Sequence, residues 1–218
     1  TVDPHWAPSA NGDVAALSLD SDGTLVAGGE FNRIDGEQAM GVAMVSDTGT
    51  VVGHGVVEQP GKVEALAWQP DGGLIVGGDF VAVNGLSLEG LLRLRPNGLP
   101  DPDWTAATEG VVHALAVDAD GNIHVGGLFG HVGGLARNNL ARLHADGQVD
   151  VSWAPSPAGV VSSLAMHPDG SLFVAGSFTA VDGLPRRIAR ISVAGNVDPD
   201  WVVAANGIIS TVALDDSG

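Results

Sequence analysis

Apolar and small residues alternate along short stretches of this chain with a period of two, which marks strands and not amphipathic helices. In Val63-Glu64-Ala65-Leu66-Ala67-Trp68 one face is small (Ala65, Ala67) and the other large (Leu66, Trp68). Val112-His113-Ala114-Leu115-Ala116-Val117 and Val161-Ser162-Ser163-Leu164-Ala165-Met166 repeat the pattern. A sheet with one small and one large face stacks well on a copy of itself, because large side chains fill the hollows left by small ones. A second kind of strand is apolar on both faces, as in Leu74-Ile75-Val76 and Leu172-Phe173-Val174, and predicts burial from both sides.

Turn signals separate these runs. Asp22-Gly23, Asp71-Gly72, Asp120-Gly121 and Asp169-Gly170 join the first strand to the second. Each second strand ends in Gly28-Gly29, Gly77-Gly78, Gly126-Gly127 or Ala175-Gly176, then Phe31, Phe80, Phe129 or Phe178; the glycine pair predicts a bulge or a close backbone approach. Asp35-Gly36, Asn84-Gly85, Gly133-Gly134 and Asp182-Gly183 suit a type I′ turn. Third strands follow at Leu91 to Leu94, Leu140 to Leu143 and Ile188 to Ile191. Short fourth segments then end in Trp104, Trp153 and Trp201.

The four Asp-Gly turns recur at a spacing of 49 residues. Four short strands in a repeat of that length predict an all-β fold, a β-propeller of four-stranded antiparallel blades. The units run over 14–62, 63–111, 112–160 and 161–208, with partial units at both ends: a leading fourth segment at Asp3 to Trp6, and a first strand at Ile209 to Leu214 before a fifth start at Ser217-Gly218. Residues 1–218 thus read as a single propeller domain or a fragment of one. The second and third strands of that fifth cycle are not in the chain. Two completions fit, a longer polypeptide or a partner chain pairing with the open blade edges at Asp3 and Leu214.

The motif Ala-Leu-Ala-x-x-x-Asp-Gly-x-x-x-Val-Gly-Gly-x-Phe, followed by Leu-Ala-Arg-Leu and Asp-Gly-x-Val-Asp-x-x-Trp, resembles the delta-60 repeat over essentially the whole chain. That resemblance implies a bacterial β-propeller and an exported protein, secreted or on the cell surface. The family often carries phenylalanine where this chain has Trp104, Trp153 and Trp201, and it supplies no catalytic residue to transfer.

Composition narrows the function classes. The net charge is −17, with one lysine and eight arginines, so a nucleic-acid partner is not expected and a salty or calcium-containing medium suits the surface. No cysteine is present for disulfides or thiol chemistry. No apolar run approaches the ~20 residues of a spanning helix. The opening Thr1 to Trp6 lacks the basic start and apolar core of a signal peptide, which a mature exported protein has lost in any case.

Candidate chemistry is sparse. Asp20 and Asp22, and Asp118 and Asp120, have carboxylates spaced for calcium, but aspartate before glycine is also what a tight turn needs. His113, His124 and His131 fall in one repeat, where spacing fixes no third ligand. The repeated tryptophans suit either sugar stacking or packing. No Gly-x-Ser-x-Gly elbow and no phosphate loop is present. In the first copy Met44, Val52 and Gly55 replace arginine, aspartate and tryptophan together, which predicts that the three residues act as one packed unit elsewhere. The loops before each first strand, 7–13, 57–62, 106–110, 155–159 and 204–207, vary most and are where a rigid scaffold places recognition. The expectation is a non-enzymatic interaction module with no catalytic, metal or cofactor residue. Its partner would be a protein, and a carbohydrate-binding propeller is the alternative.

Overall fold

The computed structural model describes residues 6–20, 22–56, 61–83 and 86–215. The segment Asp3 to His5, Ser21, the loop from Val57 to Pro60, the Asn84-Gly85 turn and the fifth start at Ser217-Gly218 lie outside the described residues. Every regular element described is a strand, and all pairing is antiparallel. The chain divides after Asp103 into two compact units.

The first unit holds two copies of the repeat. In the first copy, Asp13–Leu19, Leu25–Glu30, Gly41–Val45 and Val51–Val56 form a four-stranded sheet in that order. In the second, Lys62–Trp68, Leu74–Asp79 and Leu91–Leu94 form three strands. The second unit holds the other two copies. Their three main strands are Thr108–Val117, Ile123–Val132 and Leu140–Leu143, then Val161–Met166, Leu172–Gly176 and Ile188–Ile191.

The antiparallel blades are present in all four copies, with the fourth segment reduced in copies two to four. There the fourth segment joins the sheet through one bridge only, Leu94↔Pro100, Leu143↔Val149 or Ile191↔Val197. The cause is a local hydrogen bond that turns the chain away. Asp101, Asp150 and Asp198 each accept the backbone N–H two residues on, from Asp103, Ser152 and Asp200. Copy one has Val52 at that position, so its ladder runs on through Val51–Val56.

Each first strand carries a bulge, between Val14 and Ala16, Val63 and Ala65, Val112 and Ala114, and Val161 and Ser163. The second glycine of each pair lies opposite it. A Cβ on Gly29, Gly78, Gly127 or Gly176 would stand 2.0–2.1 Å from the carbonyl oxygen of Asp13, Lys62, Val111 or Val160. No side chain fits there.

The first glycine of the pair has a different role. A Cβ on Gly28 would meet Val63 Cγ1 at 2.5 Å and Leu66 Cδ1 at 3.2 Å, and one on Gly126 would meet Val161 and Leu164 at 2.5 and 3.4 Å. Within each unit the large face of one copy therefore enters the hollow left by a glycine of the copy before. The bulge makes this possible, because it resets the alternation and puts Val63 on the same side as Leu66 and Trp68. One apolar core in the first unit joins Val26, Val42 and Met44 to Val63, Leu74, Val76 and Leu92 across the two copies. Its counterpart in the second unit joins Leu140 and Trp153 to Val161, Leu172, Val174 and Phe178. The double-faced burial of the second strands holds: Leu74, Ile75 and Val76 are buried, as are Leu172, Phe173 and Val174.

The turns divide into two kinds. Asp35-Gly36, Gly133-Gly134 and Asp182-Gly183 have both residues at positive φ, as a type I′ turn requires. In the first turn only Gly23, Gly72, Gly121 and Gly170 are left-handed, and each described turn closes through a bond from that glycine's N–H to the carbonyl three residues back. Ile209 to Leu214 is not a ladder strand. It lies along the fourth copy through Val212 N to Ser163 Oγ (3.0 Å) and Ile209 N to Gly176 O (3.2 Å).

The two glycines predict different costs. Gly127→Ala forces backbone apart and is expected to lower stability by about 3 kcal/mol or more. Gly126→Ala, opposed by side chains that can shift, costs about 1–2 kcal/mol, and Gly130→Ala, with no atom within 4 Å of the new Cβ, stays near neutral. Urea midpoints of the three variants, compared at constant m, check the order.

Candidate functional site

The polar residues that the repeat brings together are an arginine on the third strand, the aspartate that opens the fourth segment, and the tryptophan three residues beyond it. In the third copy Arg142 Nη2 and Nε bond Asp150 Oδ2 at 2.6 and 3.0 Å, with both side chains largely buried. The guanidinium carbon lies 5.5 Å from the Trp153 ring centroid. Asp150 also accepts from the Ser152 hydroxyl at 2.6 Å. Burial pushes the Asp150 pKa up, but the bonds from Ser152 and Arg142 outweigh it and hold the carboxyl well below the usual carboxylate range. The packed unit anticipated from the joint loss in copy one is present here.

Neighbouring copies vary it for steric reasons. In the second, Gly73 leaves room for the Arg93 guanidinium, which lies over that glycine and reaches Asp71 at 2.6 Å, Gln69 at 2.7 Å and Asp101. In the third copy Asn122 fills that position, and Arg142 Nη1 turns instead to the Val193 carbonyl of the following copy at 2.7 Å. In the fourth, Arg190 bonds Asp169 and the Ser171 hydroxyl and stands 3.6 Å from Asp198.

Three of the tryptophans are staples, each lying on a third-turn glycine of the copy that follows it. Trp6 covers Gly49, Trp104 covers Gly147 and Trp153 covers Gly195, with 3.3, 2.7 and 2.9 Å from the nearest indole atom to where a Cβ would be. Trp104 and Trp153 are 3% and 0% exposed, so neither offers a ring face to a sugar. Where Gly55 replaces the tryptophan, Met44 Cε reaches the Gly98 site instead, at 3.9 Å.

One aspartate of each acidic pair serves its turn. Asp22 Oδ1 accepts from Thr24 N at 2.9 Å. Asp118 Oδ1 accepts from the Asp120 N–H, the Asn122 N–H and the Asn122 amide. An oxygen ringed by N–H donors is placed for a turn and not for a cation. Among the described residues no group of three or more histidine, aspartate or glutamate side chains converges to hold a metal ion. His124 and His131 separate. His131 pairs with Glu109 at 3.0 Å on the surface, while His124, seven residues earlier on the same strand, is about 20 Å away along it.

His124 itself was not distinguishable from the other two by spacing. It is 2% exposed, its ring meets Trp153 edge-on at 5.1 Å, and neither ring nitrogen has a hydrogen-bond partner. Asp118 Oδ2 stands 3.5 Å away. Burial brings its pKa down to about 4, against the pull of Asp118. Arg137 and Arg186, at equivalent places in two copies, also escaped the motif reading. They donate to the carbonyls of Asp150 and Val151, and of Asp198 and Trp201, and fix the bend of the fourth segment. Their recurrence at a spacing of 49 was the available signal.

Set beside known proteins, the repeats match the family model described as "Domain of unknown function (DUF5122) beta-propeller" over residues 21–43, 69–103, 119–152 and 167–200, more than half of the chain. The chain belongs to this β-propeller family, to which the delta-60-like bacterial repeat corresponds. Virginiamycin B lyase from Staphylococcus aureus is similar in structure, with a TM-score of 0.52 and 14% identity, covering 84% of this chain and 53% of the lyase. PorZ, a bacterial surface component of the type-IX secretion system of Porphyromonas gingivalis, gives 0.51 and 12%, covering 94% of this chain and 30% of PorZ. The chain thus spans about half the length of the lyase, and both likenesses establish the fold. No curated protein matches the sequence.

Two outcomes test the cluster. In a double-mutant cycle, Arg142→Met and Trp153→Gly are expected to couple by about 1 kcal/mol or more, because each loses the same partner. Additive losses would show no shared unit. His124 binds a proton more readily when unfolded, near 6.5, than when folded, near 4. Stability is therefore expected to fall by up to roughly 3 kcal/mol as pH drops from 6.5 to 4, above the range where the depressed aspartates titrate. His124→Phe, the residue type that Phe173 supplies in the next copy, should abolish that slope in thermal melts.

Proposed function

We propose that the chain is a non-enzymatic protein-interaction module of an exported bacterial protein, presenting variable loops from a rigid repeat. One observation carries this reading: the arginines, aspartates and tryptophans that recur with the repeat are spent on holding it together. Arg142, Asp150 and Trp153 serve one another and the next copy. What differs from copy to copy is left for recognition.

The loops suit that role by being pinned. Ser9 N–H donates to Asp35 Oδ1 at 2.7 Å, and Ser156 N–H to Asp182 Oδ1 at 2.8 Å. Asn11 Oδ1 takes the N–H groups of Asn32 and Arg33. Two loops of unlike sequence, 7–13 and 155–159, are thus anchored to the same second turn while Ser9, Asn11, Ser156 and Ala158 stay exposed. Preformed loops lose little entropy on binding. The surplus of carboxylates fits an external, salty medium, and among the described residues no helix is long and apolar enough to cross a membrane. The buried indoles of Trp104 and Trp153 weigh against a sugar site in each blade.

Cross-linking to exported proteins of a host bacterium, mapped by mass spectrometry, tests the reading. Cross-links are expected on loops 7–13 and 155–159, and their replacement by glycine-serine sequence should abolish capture at unchanged melting temperature. Turnover of a small substrate by the purified chain, lost on substituting side chains that converge on one recess, would overturn it.

A further inference from the structure

Copies three and four each spend a second arginine on the fourth segment. Arg137 Nη2 donates to the carbonyls of Asp150 and Val151 at 3.1 and 3.2 Å, and Arg186 Nη1 to those of Asp198 and Trp201 at 2.8 and 3.1 Å. Both side chains leave the chain just beyond the second turn. A guanidinium therefore fills the place between that turn and the fourth segment.

Copy one has no such arginine. At the spacing of 49 its counterpart is Ala39, which is buried and too short to cross. An open recess of about 590 Å³ lies between the second turn and the fourth strand instead, with Asp35 and Glu37 on one side and Val52, Gly53 and His54 on the other. Val52 and Gly53 are the counterparts of Asp150 and Val151, whose carbonyls receive Arg137. Glu37 stands where the other copies have Leu86, Leu135 and Leu184, so the copy that lacks the cation carries an extra carboxylate beside its place. Asp35 gives one oxygen to the Ser9 N–H, and the Glu37 carboxylate is exposed and unpaired among the described residues. Arg33, the nearest base in sequence, is held on the Gly36 carbonyl at 2.6 Å and does not line the recess.

We propose that this recess receives an arginine side chain from a partner protein, held by Glu37 and Asp35 against the fourth strand of copy one. The repeat itself shows the ligand chemistry, because a guanidinium occupies the equivalent place in two other copies. Its planar fork matches a carboxylate with two hydrogen bonds, where a lysine offers a point charge. The net charge of −17 favours a basic partner segment. That the arginine belongs to a protein rests on the interaction reading above. Replacing loop 7–13 leaves Asp35 and Glu37 in place, so loss of capture and loss of arginine binding are separable results.

The test follows the amide signals of Val52 and Gly53 and the His54 ring by NMR in the full chain. The probe is a capped peptide of serine and glycine around one arginine. A saturable shift at those three residues is expected. Citrulline in place of the arginine, similar in shape but neutral, should abolish it, and lysine should weaken binding about fivefold or more. Glu37→Leu, the residue type of the other copies, should weaken binding about tenfold at unchanged melting temperature. Free arginine should bind more weakly than the peptide, because its own carboxylate would meet those of Asp35 and Glu37. An arginine peptide that moves none of the three signals overturns the proposal, as does undiminished binding to the Glu37→Leu chain. Equal binding of the lysine peptide also overturns it, marking a general attraction of cations to an acidic chain. Free arginine that binds as tightly as the peptide would assign a small-molecule site and overturn the protein partner.

Discussion

A carbonyl oxygen lies about 2 Å from where a side chain would begin on the last glycine of every second strand, and the stacking within each unit follows from that contact. The contact exists because the first strand bulges there. The bulge changes which face each later residue occupies. Val63 and Leu66, an odd and an even position, come to lie on one side and enter the Gly28 hollow together. Without the extra residue they would face opposite ways, and the large face would lose its leading side chain. Backbone geometry at one glycine thus decides which apolar area is buried between copies.

The second tie between copies is polar and operates at the far strand. A buried arginine needs its charge met, and Asp150 meets it while bending the fourth segment through its other oxygen. That bend carries Trp153 onto the next turn. The first copy shows what happens when the set is missing. With Val52 for the aspartate, the segment stays in the ladder, and with Met44 for the arginine, a flexible thioether covers the glycine that an indole would have covered. The three changes fall together in the one copy whose fourth segment stays in the ladder.

Much of this was legible in the sequence. The glycine pair, the left-handed second turns and the grouped loss of Met44, Val52 and Gly55 each reflect a local steric or charge requirement, and such requirements leave fixed spacings. Three features were less accessible. The fourth segments read as strands because composition alone does not show that Asp101, Asp150 and Asp198 fold their side chains back on the chain. The lone burial of His124 depends on Trp153, 29 positions away and on another element. The divergent reach of Arg93 and Arg142 turns on whether residue 73 or 122 has a side chain, a contact between strands that no single-strand pattern contains.

The distribution of labour bears on where binding can reside. Residues that recur through the copies answer steric and charge demands that are met inside the fold: the second-strand glycine by a carbonyl, Arg142 by Asp150, Trp104 and Trp153 by a turn glycine. Asp35 and Asp182 extend the principle outward, since both spend a carboxylate oxygen on anchoring the start of a loop. Residues beyond those anchors carry no such obligation. Their side chains can change without disturbing the bulge, the bend or the staple, so a repeat that is strict in its interior can hold surfaces that differ from blade to blade.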